Sequence, residues 1–207
     1  MPAPHDKVIA TAAKDVLQPL GFQRRGQSRL WISDHRWWLN VVEFQPSGWS
    51  KGSYLNVGAH WLWSNTGHLS FDYGARAGGF VEASDAQFEA ADRTLAEAAA
   101  EEASRLVNVI GSIQETADLL KAEEMSLPEA SRGSWTTYHA AMAAGLAGRS
   151  SDAAALFTAV TDNRVKVAAD HMAPLTNDSS RFRQQAEAFI AEQRKMLGLA
   201  APTNPIF

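Results

Sequence analysis

Tyr54-Leu55-Asn56-Val57-Gly58-Ala59-His60-Trp61-Leu62-Trp63 is the stretch whose reading decides the fold. Leu55, Val57, Ala59, Trp61 and Trp63 fall on one face at a period of two, opposite Tyr54, Asn56, Gly58, His60 and Leu62. That is a strand with one continuous apolar face and a second face that turns apolar toward its end. The stretch before it repeats the pattern, with Trp38, Val42 and Phe44 against Trp37, Leu39 and Val41. A central strand apolar on both faces needs two covers or a binding partner. Working outward, the alternation predicts four strands, at 22–32, 36–46, 53–63 and 69–73. Ser33-Asp34-His35, a loop opened by Pro46-Ser47-Gly48, and Asn65-Thr66-Gly67 separate them. Such short connections favour an antiparallel meander.

Helices are expected on either side. Val8, Ile9, Ala12, Ala13, Val16, Leu17 and Leu20 form a stripe at helical spacing, closed by Pro19 and Gly21. After Ala83 the chain becomes rich in alanine. Ser84 with Gln87, and Ser112 with Glu115, read as capping boxes, the first opening a helix through Phe88, Ala91, Leu95, Ala98, Leu106 and Val109. A helical hairpin follows over 134–147 and 151–162, then a helix over 164–172. A last helix, capped by Ser179 or Ser180, ends at Gly198. The hairpin resembles a tetratricopeptide unit, but one copy does not make a solenoid, so an ordinary helix pair is expected.

Composition limits the chemistry. The 207 residues contain no cysteine, which excludes disulfides, thiolate metal sites and cysteine nucleophiles. Residues 1–83 hold eight Lys/Arg against six Asp/Glu, whereas the remainder holds eleven against seventeen. Six of the seven tryptophans also lie in that first part. No apolar run approaches a membrane span, and the first residues lack a signal-peptide pattern, so a soluble cytoplasmic protein of bacterial type is expected.

Three pieces in order, Leu20-Gly21-Phe22-Gln23-Arg24-Arg25-Gly26, Trp38-Leu39-Asn40-Val41-Val42-Glu43-Phe44-Gln45-Pro46-Ser47 and Tyr54-Leu55-Asn56-Val57-Gly58, carry a family resemblance. The chain resembles the bacterial family known as domain of unknown function 4304. Its members show Gly-Phe followed by basic residues, a strand ending in Phe-Gln-Lys-Ser, and a later strand reading like Val-Asn-Leu-Gly. Pro46 stands where the family usually has lysine, which weakens any role assigned to that lysine. The resemblance spans roughly residues 5–80 and implies an α+β domain with no established activity.

Several candidate sites follow from the residues. Gly48-Trp49-Ser50-Lys51-Gly52 fits the G-x-S-x-G nucleophile pattern, but a strand rather than a helix follows, so a polar hairpin loop is the simpler reading. His60, His68 and Asp72 would offer three metal ligands if the third and fourth strands pair, although their spacing matches no standard zinc pattern. Arg24, Arg25, Arg29 and Arg36 neighbour Trp31, Trp37 and Trp38, a combination suited to phosphates, carboxylates or stacked bases. Equally, such arginines blunt an edge strand and cover tryptophans with their stems. There is no phosphate loop, no H-E-x-x-H and no G-x-G-x-x-G after a strand.

Together these observations predict an α+β chain, with an N-terminal helix on a four-stranded, mostly antiparallel sheet followed by an alanine-rich helical bundle. The expected division is a sheet domain at 1–83, a bundle at 84–199 and a loose tail at 200–207. The expected function is a non-catalytic binding or accessory protein acting on another protein, through a Trp/Arg-rich sheet face and the 46–53 loop. The binding residues are Arg24, Arg25, Arg36, Trp37, Trp49, His60, Trp63, Asp72 and Arg76. No cofactor, metal, membrane or nucleic acid is expected. The alternative is an enzyme or small-ligand protein with a pocket between sheet and helices, lined by Trp63, Tyr73, His60, Asp72 and Arg76.

Overall fold

The first helix, α1 (Pro4–Leu17), forms where Ile9, Ala13 and Leu17 recur every fourth residue, and all three are buried. Pro19 allows only a tighter continuation, a 3-10 turn over Gln18–Leu20, closed by the Gly21 N–H on Gln18 O at 3.0 Å. Leu20, expected on the helical stripe, is consequently exposed. The computed structural model in which these features are seen describes residues 4–47, 52–82 and 88–207.

Six strands follow: β1 (Gln23–Arg24), β2 (Leu30–Asp34), β3 (Trp38–Pro46), β4 (Gly52–Trp61), β5 (Tyr73–Arg76) and β6 (Val81–Glu82). The first five are neighbours in chain order, and the described pairings are antiparallel. β5 and β6 both pair with β4, so the sheet exceeds the four strands expected. The predicted strand at 22–32 is two strands, because the chain reverses at Gly26, whose φ of 57° lies in the left-handed region. The next reversal falls at His35–Trp37, two residues later than expected. There Asp34 Oδ1 accepts from the Arg36 N–H at 2.9 Å, and Arg36 itself takes a φ of 72°. The strand placed at 69–73 begins instead at Tyr73, and Leu62–Ser64 forms a 3-10 turn rather than the end of β4.

Register fixes what each face meets. Trp31 opposes Val42 and Ser33 opposes Asn40, so these four share a face. Asn40 is fully buried and donates from Nδ2 to Ala103 O at 2.8 Å, which lays α2 (Phe88–Ile110) across that face. The buried stripe of α2 is Leu95, Ala96, Ala99, Ala103, Leu106 and Ile110. This corrects the expected stripe through Ala98, which is exposed: alanines surround the helix and carry little information about its phase. The capping box at Ser84 and Gln87 lies outside the described residues.

The chain divides into two compact units, Met1–His60 with Ser70–Asn108, and Trp61–Leu69 with Val109–Phe207. The second contains α3 (Ile113–Ser126), α4 (Trp135–Leu146), α5 (Ser150–Ala159), α6 (Asn163–Met172) and α7 (Ser179–Met196). Ser112 and Glu115 form the expected capping box on α3. α7 is capped by Asp178, whose side chain accepts from the Arg181 N–H at 3.1 Å, rather than by either serine. α4 is buried almost without interruption from Thr137 to Leu146, the mark of a central helix. Its approach to α7 depends on Gly145: a Cβ there would stand 2.3 Å from Phe182 Cζ. The tail is tied down at Ala200, whose carbonyl accepts from the buried Arg194 guanidinium at 3.0 and 2.5 Å.

Two predictions follow from this packing. Gly145→Ala gains intrinsic helix propensity, but forcing a methyl against the buried Phe182 ring costs about 1–3 kcal/mol, so thermal unfolding should show a lower Tm. Glu123 is half-buried beside Glu124, and desolvation together with that neighbour raises its pKa above 4.5. Its stabilising neutral form is present below the unfolded value and lost as pH rises through the folded one. Glu123→Gln should therefore raise the Tm at pH 7, and the gain should disappear by about pH 4.

Candidate ligand-binding site

Within the helical unit, the segment 61–69 is held by aromatic contacts and two polar clamps. Trp61 and Trp63 stack at 5.3 Å and both are fully buried. The Trp63 indole N–H donates to His139 Nδ1 at 3.1 Å, which assigns the ring proton of a neutral His139 to Nε2. The buried Gln193 side chain on α7 accepts from the Gly67 N–H at 2.8 Å and donates to His68 O at 3.2 Å. Between these clamps Asn65 adopts a left-handed φ of 51°, so the loop turns sharply above the helices.

This loop forms one wall of a cavity of about 660 Å³. Ser64, Asn65, Thr66 and His68 contribute that wall; Trp135 and Tyr138 come from α4, Arg164, Val167, Ala168 and His171 from α6, and Gln185 and Phe189 from α7. The volume falls in the range of small-molecule sites. Its aromatic part is ordered: Trp135 meets Tyr138 edge-on at 5.9 Å and His139 at 5.6 Å, and His171 lies 5.9 Å from Phe189. Tyr138 is fully buried, and its hydroxyl has no hydrogen-bond partner in the structure. Burial drives its pKa far up, so the phenol remains a hydroxyl and a donor. A buried hydroxyl left unmatched costs about 1–3 kcal/mol. Val167, in the same wall, is 80% exposed. The hydroxyls of Ser64 and Thr66 donate to main-chain oxygens, Trp61 O at 2.6 Å and His68 O at 3.3 Å, an arrangement that holds the loop.

The residues singled out from sequence lie elsewhere. None of Trp63, Tyr73, His60, Asp72 and Arg76, the expected pocket lining, belongs to this cavity. His60 and Asp72 do come together: Nδ1 lies 3.1 Å from Asp72 Oδ2 and 2.9 Å from Ser70 Oγ, while Ser70 Oγ donates to Asp72 Oδ1 at 2.7 Å. The third member is thus Ser70, and His68 instead sets its Nδ1 against Thr66 O at 3.1 Å. No group of three or more histidines and carboxylates suited to a metal occurs among the described residues.

Trp31, Trp37 and Trp38 are buried to within 3–4% of full enclosure and form core, so they do not make an open aromatic face. Arg24 holds the β1–β2 turn through Ser28 O at 2.6 Å and Gln27 O at 2.8 Å, and Arg29 donates to Ser53 Oγ at 3.0 Å. Arg25 is half-buried and Arg36 exposed at its turn. Arg76 sits 3.9 Å over the Tyr54 ring and donates to Gln45 Oε1 at 3.0 Å, beside the Tyr54–Phe80 pair. Trp49 and the rest of Gly48–Lys51 lie outside the described residues, and β4 starts directly at Gly52.

Sequence reasoning missed the cavity because its walls come from four separated stretches without a motif. The one local signal was Trp135-Thr136-Thr137-Tyr138-His139, three rings within five residues on a helix otherwise made of small side chains. No helix among the described residues is long and apolar enough to cross a membrane. No curated protein and no solved structure matches the chain. The resemblance carried by the Gly21–Phe22 and Phe44–Gln45 pieces extends further than residue 80, to the end of α2. Residues 13–113, in the N-terminal part of the chain, match the family model described as domain of unknown function (DUF4304).

Proposed function

We propose that the protein is a non-catalytic binding protein whose helical unit takes a small, partly aromatic molecule. The observation that carries this reading is a cavity large enough for a ligand, with Trp135 and Phe189 in its walls and polar side chains around them. A half-buried Trp135 and Phe189 supply stacking surface, and the polar groups around them fix orientation, the usual division of labour in such sites. A second reading, a protein partner on the sheet unit, is favoured by the Tyr54, Phe80 and Arg76 strip. Those rings are only half-buried.

The two readings separate in a thermal-shift screen of the full chain against aromatic metabolites. Compounds that seat in the cavity should raise the Tm, and at a hundredfold excess over Kd the stabilisation is about 2.7 kcal/mol. The shift should vanish in Trp135→Ala and persist in Arg76→Ala. Hits that survive Trp135→Ala, or a complete absence of hits at millimolar concentration, would overturn the cavity reading. In that case, loss of a captured protein on Arg76→Ala would support the sheet surface.

A further inference from the structure

We infer that the cavity selects an aromatic acid, a planar ring system bearing a carboxylate or sulfonate, over its neutral counterpart. This rests on the ligand-binding reading above and adds the charge of the ligand to it. The lining contains Arg164, His68 and His171 and no aspartate or glutamate. The carboxylate that meets Arg164, Asp162, is already engaged at both oxygens. Its Oδ1 accepts from the Arg164 main-chain N–H at 2.9 Å and from Nε at 3.0 Å, and Oδ2 accepts from Nη2 at 2.5 Å. The Nη1 side of the guanidinium makes no hydrogen bond in the structure, and the side chain is 75% exposed, so the fork retains donors for an incoming anion.

The two imidazoles add polar nitrogens to the lining: His68 on the loop and His171 on α6, against Phe189. A donor-rich, acid-free wall around Trp135 and Phe189 matches a ring with oxygen acceptors. It offers no carboxylate to pair with an ammonium group.

The test uses two fluorescent probes that share a ring system, the sulfonate 1-anilinonaphthalene-8-sulfonate and the neutral N-phenyl-1-naphthylamine, on the full chain. The sulfonate should bind one equivalent about tenfold more tightly than the amine, and the difference should shrink with added salt. Val167 is exposed in the cavity wall, so charges placed there test the field without disturbing the core. Val167→Glu should weaken the sulfonate about tenfold and Val167→Lys should tighten it, with the amine changing less than about threefold. On the unsubstituted protein, 2-naphthoate should displace the sulfonate and 2-naphthol should not. Equal binding of both probes at a site lost in Trp135→Ala would overturn the acid selectivity and leave the ligand-binding reading standing. Failure of both probes to find a Trp135-dependent site would overturn both readings.

Discussion

The helical unit depends on satisfying one indole nitrogen. Burying Trp63 removes a large apolar surface from water, but its N–H then requires an acceptor inside the protein. His139 Nδ1 provides it at 3.1 Å, from a helix whose second half is mostly alanine and glycine. That pairing explains why α4 is so poor in bulk. Small residues bring its neighbours close, Gly145 lets Phe182 lie against the backbone, and the ring cluster around His139 has a fixed position. With Trp63 placed, the loop after it reaches α7, where Gln193 clamps it through both ends of its amide.

The sheet unit is organised around a different polar group. Asn40 lies on β3 among apolar residues, and its amide donates to the Ala103 carbonyl on α2. A side chain reaching a main-chain oxygen in mid-helix fixes how far along the strand the helix sits, something apolar packing specifies less sharply. The His60–Asp72–Ser70 cluster pins the loop before β5 to β4 in the same way. Polar contacts in both units thus decide register, while the tryptophans and alanines supply the enclosed volume.

Much of the fold was legible because alternation is a strong signal. β3 and β4 were read from period-two patterns of Trp, Val, Leu and Phe, and the helix positions from caps and glycines. What escaped was phase and detail. β1 and β2 merged because the polar stretch from Gln23 to Arg29 shows no alternation that would separate two strands, and the reversal rests on the left-handed Gly26. The stripe on α2 was misplaced because one alanine resembles another whether buried or exposed. The cavity was invisible for a deeper reason: Asn65, Trp135 and Phe189 become neighbours only through tertiary structure. The Trp–Arg grouping in the first part of the chain suggested a surface, yet those rings are core and several of the arginines brace turns. Composition marks which residues are valuable to bury or pair and leaves open where they go.

The clamps on residues 61–69 also impose an order of assembly. Trp63 and His139 are 76 positions apart, and Gly67 is separated from Gln193 by 126. A chain emerging from the ribosome therefore presents both tryptophans long before either partner has been made. The sheet's strands can pair early, but the segment that follows β4 has no enclosure until α4, and no clamp until α7 has been synthesised. Contacts this distant slow folding and prolong the exposure of apolar surface. A ribosome that pauses before Gln193 holds a nascent protein whose most hydrophobic loop is still waiting for its last helix.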